Sequence, residues 1–556
     1  MKSSASGPVW LALAVVVSGC SAILPLGDEY TFGGDAGGTD GGGLDGGGLD
    51  GGVDASVMPD GNVPMDDAGT DAGCEVPEMD EVCADRCGEI VACGQTFTCG
   101  TCEGELSCGG AGTANVCGCA DSPCALFTDR FGDAAIQQIR GLAVDHEGNV
   151  FVAGDFRGTI SFGSNTHTNA GAMRTDMFLV KFDPAGNVLW SKSFGGLNDA
   201  TADSSQNVRA LAVDGAGNVI LAGETAAAVN FGGANLSNDI VIAKFTGDGD
   251  HLWSASYGTD YASYPTAIAI DPGSYDVIMA GDFWGTLRFG SLSAMTAAGD
   301  QAHYDMFVVR FRAVDGIPQS SRRYGDGSLQ NIGSVAASAG HVHVAATFNG
   351  TFDFGLPNSR TLSSTSWEAL ALAKLGAGSF NHVWSRQVGT TVAEPRLATD
   401  ASGNLVVAGS FSGSLDITSP PLTSSGSAAF VARLDTTGAT AWANRYENVR
   451  VLSLATGADG SIYLAGQVSG EVDLGGGAIA YSGTQDAFIA HLSADGEHIF
   501  SRVFSAAVGN QSAVAIGVST AGVVWAGVDF QGNVDLGTGE LRTAGATDIA
   551  IGRYVP

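Results

Sequence analysis

The chain has 556 residues, 82 of them Gly, and only 15% are charged, so much of its length goes to turns, tether and short strands rather than one large helical core. Its 25 Lys and Arg against 59 Asp and Glu leave a formal net charge of −34. That charge repels nucleic acid and anionic headgroups over long range, which makes polyanions poor partners, and a high negative charge also keeps a protein soluble.

Lys2 followed by the apolar run Val9–Val17 has the form of an export signal, too short to hold a bilayer as an anchor. It leads into Val17-Ser18-Gly19-Cys20, which resembles the bacterial lipobox. The resemblance implies a signal peptide of residues 1–19 and a diacylglycerol on the Cys20 thiol. With Ser21 rather than Asp next in the chain, it also implies an outer membrane lipoprotein, at the cell surface or on the periplasmic face.

Residues 20–73 are Gly, Asp and Ala with scattered Thr, Pro and Met, too poor in apolar surface to offset the entropy of ordering. No Lys or Arg occurs between Lys2 and Arg86, so the Asp residues repel one another and extend the coil. This reads as a disordered tether. It contains no calcium loop of the D-x-[DN]-x-[DN]-G-x5-E form.

Ten cysteines then fall within residues 74–124: Cys74, Cys83, Cys87, Cys93, Cys99, Cys102, Cys108, Cys117, Cys119 and Cys124. An even set in an exported chain, with none downstream, predicts a small module stapled by disulfides whose connectivity the spacing does not determine. Cys99-Gly100-Thr101-Cys102 alone suggests a redox pair or half a zinc site, yet neither accounts for the other eight thiols, and the segment has no His.

From residue 125 to 556 the chain repeats itself about every sixty residues, and such self-similarity is strong evidence of fold. The first unit carries Leu142-Ala143-Val144-Asp145-His146-Glu147-Gly148-Asn149-Val150-Phe151-Val152-Ala153-Gly154, and further copies end at Gly223, Gly281, Ala346, Gly409, Gly466 and Gly527. Later in each unit an apolar stretch closes on a base: Lys181, Lys244, Arg310, Lys374, Arg433, His491 and Arg553. A last strand follows with aromatic residues four apart, as in Trp190 with Phe194 and Trp253 with Tyr257. Short β-branched and aromatic runs between Gly-Asn and Asp-Gly turns are antiparallel strands. Four to a unit, they predict an all-β, seven-bladed propeller of four-stranded antiparallel blades. The seventh unit lacks its last strand, and residues 126–132 match that strand, so the N-terminal segment is expected to close the ring. The segment at Gly158–Gly163, echoed at Gly285–Gly290 and Gly350–Gly355, predicts an excursion between second and third strands.

These repeats, with Leu-Ala-Val-Asp-x-x-Gly-Asn-Val-x-Val-Ala-Gly and a later Leu-Trp-Ser, resemble the bacterial seven-bladed SBBP repeats. The resemblance covers residues 125–556 and implies fold and export, without an activity.

Asp opens the third strand in five units, as Asp176, Asp239, Asp305, Asp486 and Asp548, and such recurrence points to a structural role for these carboxylates. The Asp-x-x-Gly-Asn turns at Asp145, Asp183, Asp214 and Asp400 fit hairpin chemistry. Residues that break the repeat are better candidates for ligand binding: Trp284, His303, Tyr304, Arg322, Arg323 and Trp367. His341 and His343 share a strand face as metal ligands do, but no third ligand is assignable, so no metal or cofactor is expected. No nucleophile elbow, His-Glu-x-x-His helix or Walker loop is present, and no catalytic residue is assigned. The sequence therefore predicts a lipid-anchored, monomeric, non-enzymatic binding or adhesion module for an extracellular protein or glycan. A passive envelope scaffold, or an enzyme acting on glycans or peptides through carboxylates converging in the channel, are the other readings.

Overall fold

The computed structural model describes residues 89–92, 95–99, 107–108, 117–118, 123–169, 174–196, 205–237, 239–298, 303–355, 361–482, 484–506 and 509–555. The expectations for the signal peptide, Cys20 and the tether lie outside these residues. The chain divides into two units, residues 23–118 and a second containing residues 119–556. In the first, Glu89–Ala92 pairs with Gln95–Thr98, and Ser107–Cys108 pairs with Cys117–Gly118. Among the described cysteines, Cys99 and Cys124 are each disulfide-bonded.

The second unit is a ring of seven four-stranded antiparallel sheets. Blade one consists of Gln137–Val144, Val150–Phe156, Asp176–Phe182 and Val188–Phe194, and the other blades repeat this order. The first strand of each blade packs on the first strands of both neighbours, and Gln511–Val518 of blade seven meets Gln137–Val144 of blade one, so the circuit is closed. The closing strand is Cys124–Phe131, two residues earlier at its start than the sequence suggested, paired with Asp548–Val555. Second and third strands are buried on both faces between adjacent blades, which is why they read as unbroken apolar runs rather than alternating ones.

The recurrent polar residues hold this ring. In the first hairpin Asp145 accepts the backbone N–H of Asn149 at 2.8 Å and its side-chain amide at 2.8 Å, with Gly148 at φ 83° where a Cβ is disfavoured. The bases that close the third strands reach across to the next blade. Lys181, Lys244, Arg310, Lys374 and Arg433 donate to the carbonyls of Gly247, Ala313, Ala377, Thr436 and Ala494, each in the turn between third and fourth strands of the following blade. Trp190, Trp253 and Trp442 donate their indole N–H to three of the same carbonyls, at 3.0, 3.1 and 2.9 Å. In blade six the following turn does not exist, because blade seven is closed by the two chain segments. There the base is His491, neither of whose ring nitrogens is hydrogen-bonded among the described residues, and Phe500 replaces Trp. The long cationic side chain and the indole are both replaced where the acceptor turn is absent.

The excursion between second and third strands occurs in more blades than its glycines indicated. It is a small ribbon in blade one (Thr159–Phe162 with Asn165–Thr168) and in blades two, three, six and seven. In blades four and five it continues the strands, as in His341–Phe352 with Leu362–Gly376. Its aromatic residue seals the seam with the preceding blade: Phe162 lies 5.0 Å from Phe131, Phe231 4.8 Å from Phe194, Phe289 4.9 Å from Tyr257 and Phe354 5.5 Å from Tyr324. The second aromatic of these four last strands is thus explained by its contact with the next excursion.

Candidate functional site at the channel mouth

Every first strand carries a bulge near its third residue, where the register to the second strand slips by one. A bulge frees one side chain from the ladder and re-aims it. The residues released include Arg140, Arg209, Thr266, Leu452 and Val514, so seven copies of one backbone irregularity bring different chemistry to the channel mouth.

Near the end of the second strand, blades one, two, three and seven carry Asp155, Glu224, Asp282 and Asp529 at one register position. Three of them accept the backbone N–H of the next blade's first strand: Asp155 from Val208 at 2.6 Å, Asp282 from Ile332 at 3.0 Å and Asp529 from Ile139 at 2.9 Å. Glu224 faces Pro265, which has no N–H, and instead takes the Arg209 guanidinium at 2.7 Å and the Asn207 amide at 3.1 Å. Burial pushes Asp529 up to about 7 and Asp282 up to about 8, each opposed by its N–H donor. Asp155 is raised by burial too, against the pull of Arg140.

A pocket of about 260 Å³ opens at this mouth between blades one, five, six and seven. Its two cations are matched, Arg140 with Asp155 at 2.7 Å and Arg450 with Glu394 through two hydrogen bonds, one of 2.6 Å, and Asp529 adds a carboxyl bonded to the Ile139 N–H. Glu394 holds φ at 54°, a left-handed conformation that costs a non-glycine residue free energy, and it does so where its carboxylate meets Arg450. The other polar lining is neutral, dominated by Gln138, Gln467, Gln485, Asn510 and Gln531, and Leu452, Val514 and Phe530 are its apolar part. Arg396, buried in the wall, donates to the Leu452 carbonyl at 2.8 Å, and desolvation brings its guanidinium down to about 10.

The ligand-binding candidates drawn from the sequence are not gathered at this pocket. Trp284 ends the second strand of blade three and stacks on Tyr261 at 3.8 Å, where Tyr261 is 60% exposed. Tyr304, beside His303, lies 6.1 Å from Tyr264, which occupies in blade three the register position of Gln138 in blade one. These aromatics share the face of the ring that carries the pocket, in the connections of another blade. Arg322 donates to the Phe380 carbonyl at 3.3 Å, tying blade three to blade four, as Arg386 ties blade four to Gly438 at 3.0 Å. Arg323 pairs with Asp305, the same pair as Arg130 with Asp548 in blade seven. Both arginines are therefore elements of the repeat: Arg386 and Arg502 share the register position of Arg322, and Arg445 and Arg130 that of Arg323, while the remaining blades vary there. Trp367 falls in the third strand of blade four, and its side chain lies outside the described residues. His343 is buried against Trp384 and hydrogen-bonded to Ser338 at 3.2 Å, and desolvation depresses it to about 3, so it stays neutral. Among the described residues, no group of three or more His, Cys, Asp or Glu gathers as a metal site would.

The mouth residues left little trace in sequence, because each occurs once and only the bulge register shows that they converge. The Glu394-Pro395-Arg396 run, where other units have an apolar residue before a small one, is the one local departure that points there.

No protein-family profile matches the chain, and no curated protein matches it. Among solved structures it is similar to the β-propeller domain of Cps50 (Swd1) from Myceliophteria thermophila, at 12% identity and a TM-score of 0.37 over 76% of this chain and 99% of that one. The Pan2 WD40 domain of Neurospora crassa gives 10% identity and 0.38 over 77% and 97%, and the quinohemoprotein alcohol dehydrogenase of Comamonas testosteroni 9% and 0.36 over 78% and 77%. At TM-scores this low none of them carries an argument about ligand or chemistry.

Proposed function

We propose that this ring is a non-enzymatic binding module that engages its ligand at the channel mouth, on the face that also carries Tyr261, Trp284 and Tyr304. The pocket of about 260 Å³ lined from four blades is the observation that carries the reading. A rigid seven-bladed circuit presents such a mouth without reorganisation, and preorganisation lowers the cost of binding. The raised carboxyls that would suit an enzyme are spent on blade-to-blade N–H bonds, so they lend catalysis no support. In the same proposal the tether and a lipid on Cys20 hold the ring at the outer membrane, facing extracellular protein or glycan. Mass spectrometry of the mature N-terminus tests that part.

The test of the mouth is an array of glycans and extracellular proteins probed with the full chain and with Ser512→Trp, which fills the pocket from a half-buried position. The expected result is a ligand bound by the native chain and lost in the variant, with the thermal midpoint retained. A ligand held equally by both overturns the mouth as the site. No ligand of any class moves the protein to the scaffold reading.

A further inference from the structure

The character of the pocket lining restricts what fits. Its two cations are matched within the protein, Arg140 by Asp155 and Arg450 by Glu394, and Asp529, the other carboxyl of the lining, accepts the Ile139 N–H, so an anionic ligand finds no unpaired cation and leaves its own charge to be desolvated. The neutral polar groups are different. Among the described residues no hydrogen bond uses the side-chain N–H groups of Gln138 or Asn510 or either polar end of the Gln485 carboxamide, and all three line the pocket. A carboxamide offers a donor and an acceptor side by side, which matches a pair of adjacent hydroxyls. Beside them Leu452, Val514 and Phe530 supply an apolar surface. A ligand with a hydroxylated edge and a C–H face meets both surfaces. The volume is about 260 Å³, which at roughly 30 Å³ per water is the space of about nine waters, enough for one sugar ring and a substituent.

We propose that the channel mouth binds an uncharged sugar unit, its hydroxyls held by Gln138, Gln485 and Asn510 and its C–H face set against Leu452, Val514 and Phe530. This rests on the mouth being the binding site and adds the ligand class. The site takes one neutral pyranose.

Titration calorimetry of the full chain with methyl glycosides of glucose, galactose, mannose and N-acetylglucosamine, and with glucuronate and N-acetylneuraminate, tests the assignment. At least one neutral glycoside is expected to bind with Kd below about 10 mM, and Gln485→Ala and Asn510→Ala, both at solvent-accessible positions, should each weaken it by about tenfold through loss of paired hydrogen bonds. The acidic sugars are expected to bind more weakly than the neutral ones. Absence of binding by all four neutral glycosides, preference for an acidic sugar, or a neutral sugar whose affinity neither variant changes overturns the proposal. If another ligand class is bound and lost in Ser512→Trp while neutral sugars are not bound, the sugar assignment fails and the mouth survives. Loss of both removes the site.

Discussion

Asp529 of blade seven accepts the backbone N–H of Ile139 in blade one at 2.9 Å, the hydrogen bond that joins the last blade to the first at the channel. Its carboxyl is raised to about 7 by burial, with Arg140 lowering it and Asp155 raising it further. A carboxyl whose folded pKa lies above its unfolded value binds more protons when folded, so stability falls as pH rises from the unfolded pKa, near 4, to the folded one and is level beyond. Asp282, raised to about 8, acts in the same direction. Asp529→Asn keeps an acceptor for Ile139 without the charge. Calorimetric melting at pH 5, 6.5 and 8 should therefore show the native chain losing stability over this range and the variant losing less. An equal loss in both assigns the slope to other groups.

The contrast between Asp155 and Glu224 follows from Pro265. Asp155 satisfies the Val208 N–H and pairs with Arg140, so Asp155→Ala leaves a buried N–H without its acceptor and the Arg140 guanidinium without its carboxylate, with only the Gln138 oxygen still accepting from it, at a cost of about 3 kcal/mol. Glu224 has no N–H to satisfy, and its pair with Arg209 is partly open to solvent, so Glu224→Gln should cost below about 1 kcal/mol. Urea unfolding of the two variants measures the difference, and equal costs would show that the Asp155 bond to Val208 contributes nothing.

Among the strand-four tryptophans, Trp253 donates to the Ala313 carbonyl at 3.1 Å, whereas the Trp384 indole N–H is buried and has no acceptor among the described residues. Replacement by Phe removes a hydrogen bond in the first case and an unsatisfied donor in the second. Trp253→Phe is expected to destabilise by roughly 1 kcal/mol more than Trp384→Phe, since each loses a similar ring volume. Denaturant midpoints decide the order.

The period, the strand pattern and the missing seventh strand were readable because every blade must solve the same packing problem, and repetition makes the solution visible. Lys181 and its equivalents announced themselves in this way, although their acceptors, carbonyls about sixty residues further on, did not. The channel mouth was hidden for the opposite reason. Gln138, Glu394, Arg450 and Asn510 come from four blades, each unremarkable in its own repeat, and only ring closure and the bulges bring them together. The exposed pair Tyr261 and Trp284 was half legible, because Trp284 interrupts the repeat and Tyr261 lies in a connection of variable sequence.

Closure by Cys124–Phe131 gives the last prediction. This strand supplies the ladder partner of Asp548–Val555, the Arg130 partner of Asp548, and Phe131, which packs 5.0 Å from Phe162 and 5.7 Å from Phe182 in blade one. A chain lacking residues 1–132 has an open edge on blade seven, an unpaired buried Asp548 and a breached seam with blade one. Unpaired strand edges template association with other chains. The shortened chain is expected to aggregate, or to melt well below the native chain, while a chain beginning at residue 119 melts cooperatively. Adding a peptide of residues 123–133 to the shortened chain should restore the melting transition in proportion to peptide concentration, because a ligand of the folded state stabilises by mass action. A shortened chain that melts with the native midpoint would mean that six and three-quarter blades suffice, and that the N-terminal strand is an ornament of the ring rather than its clasp.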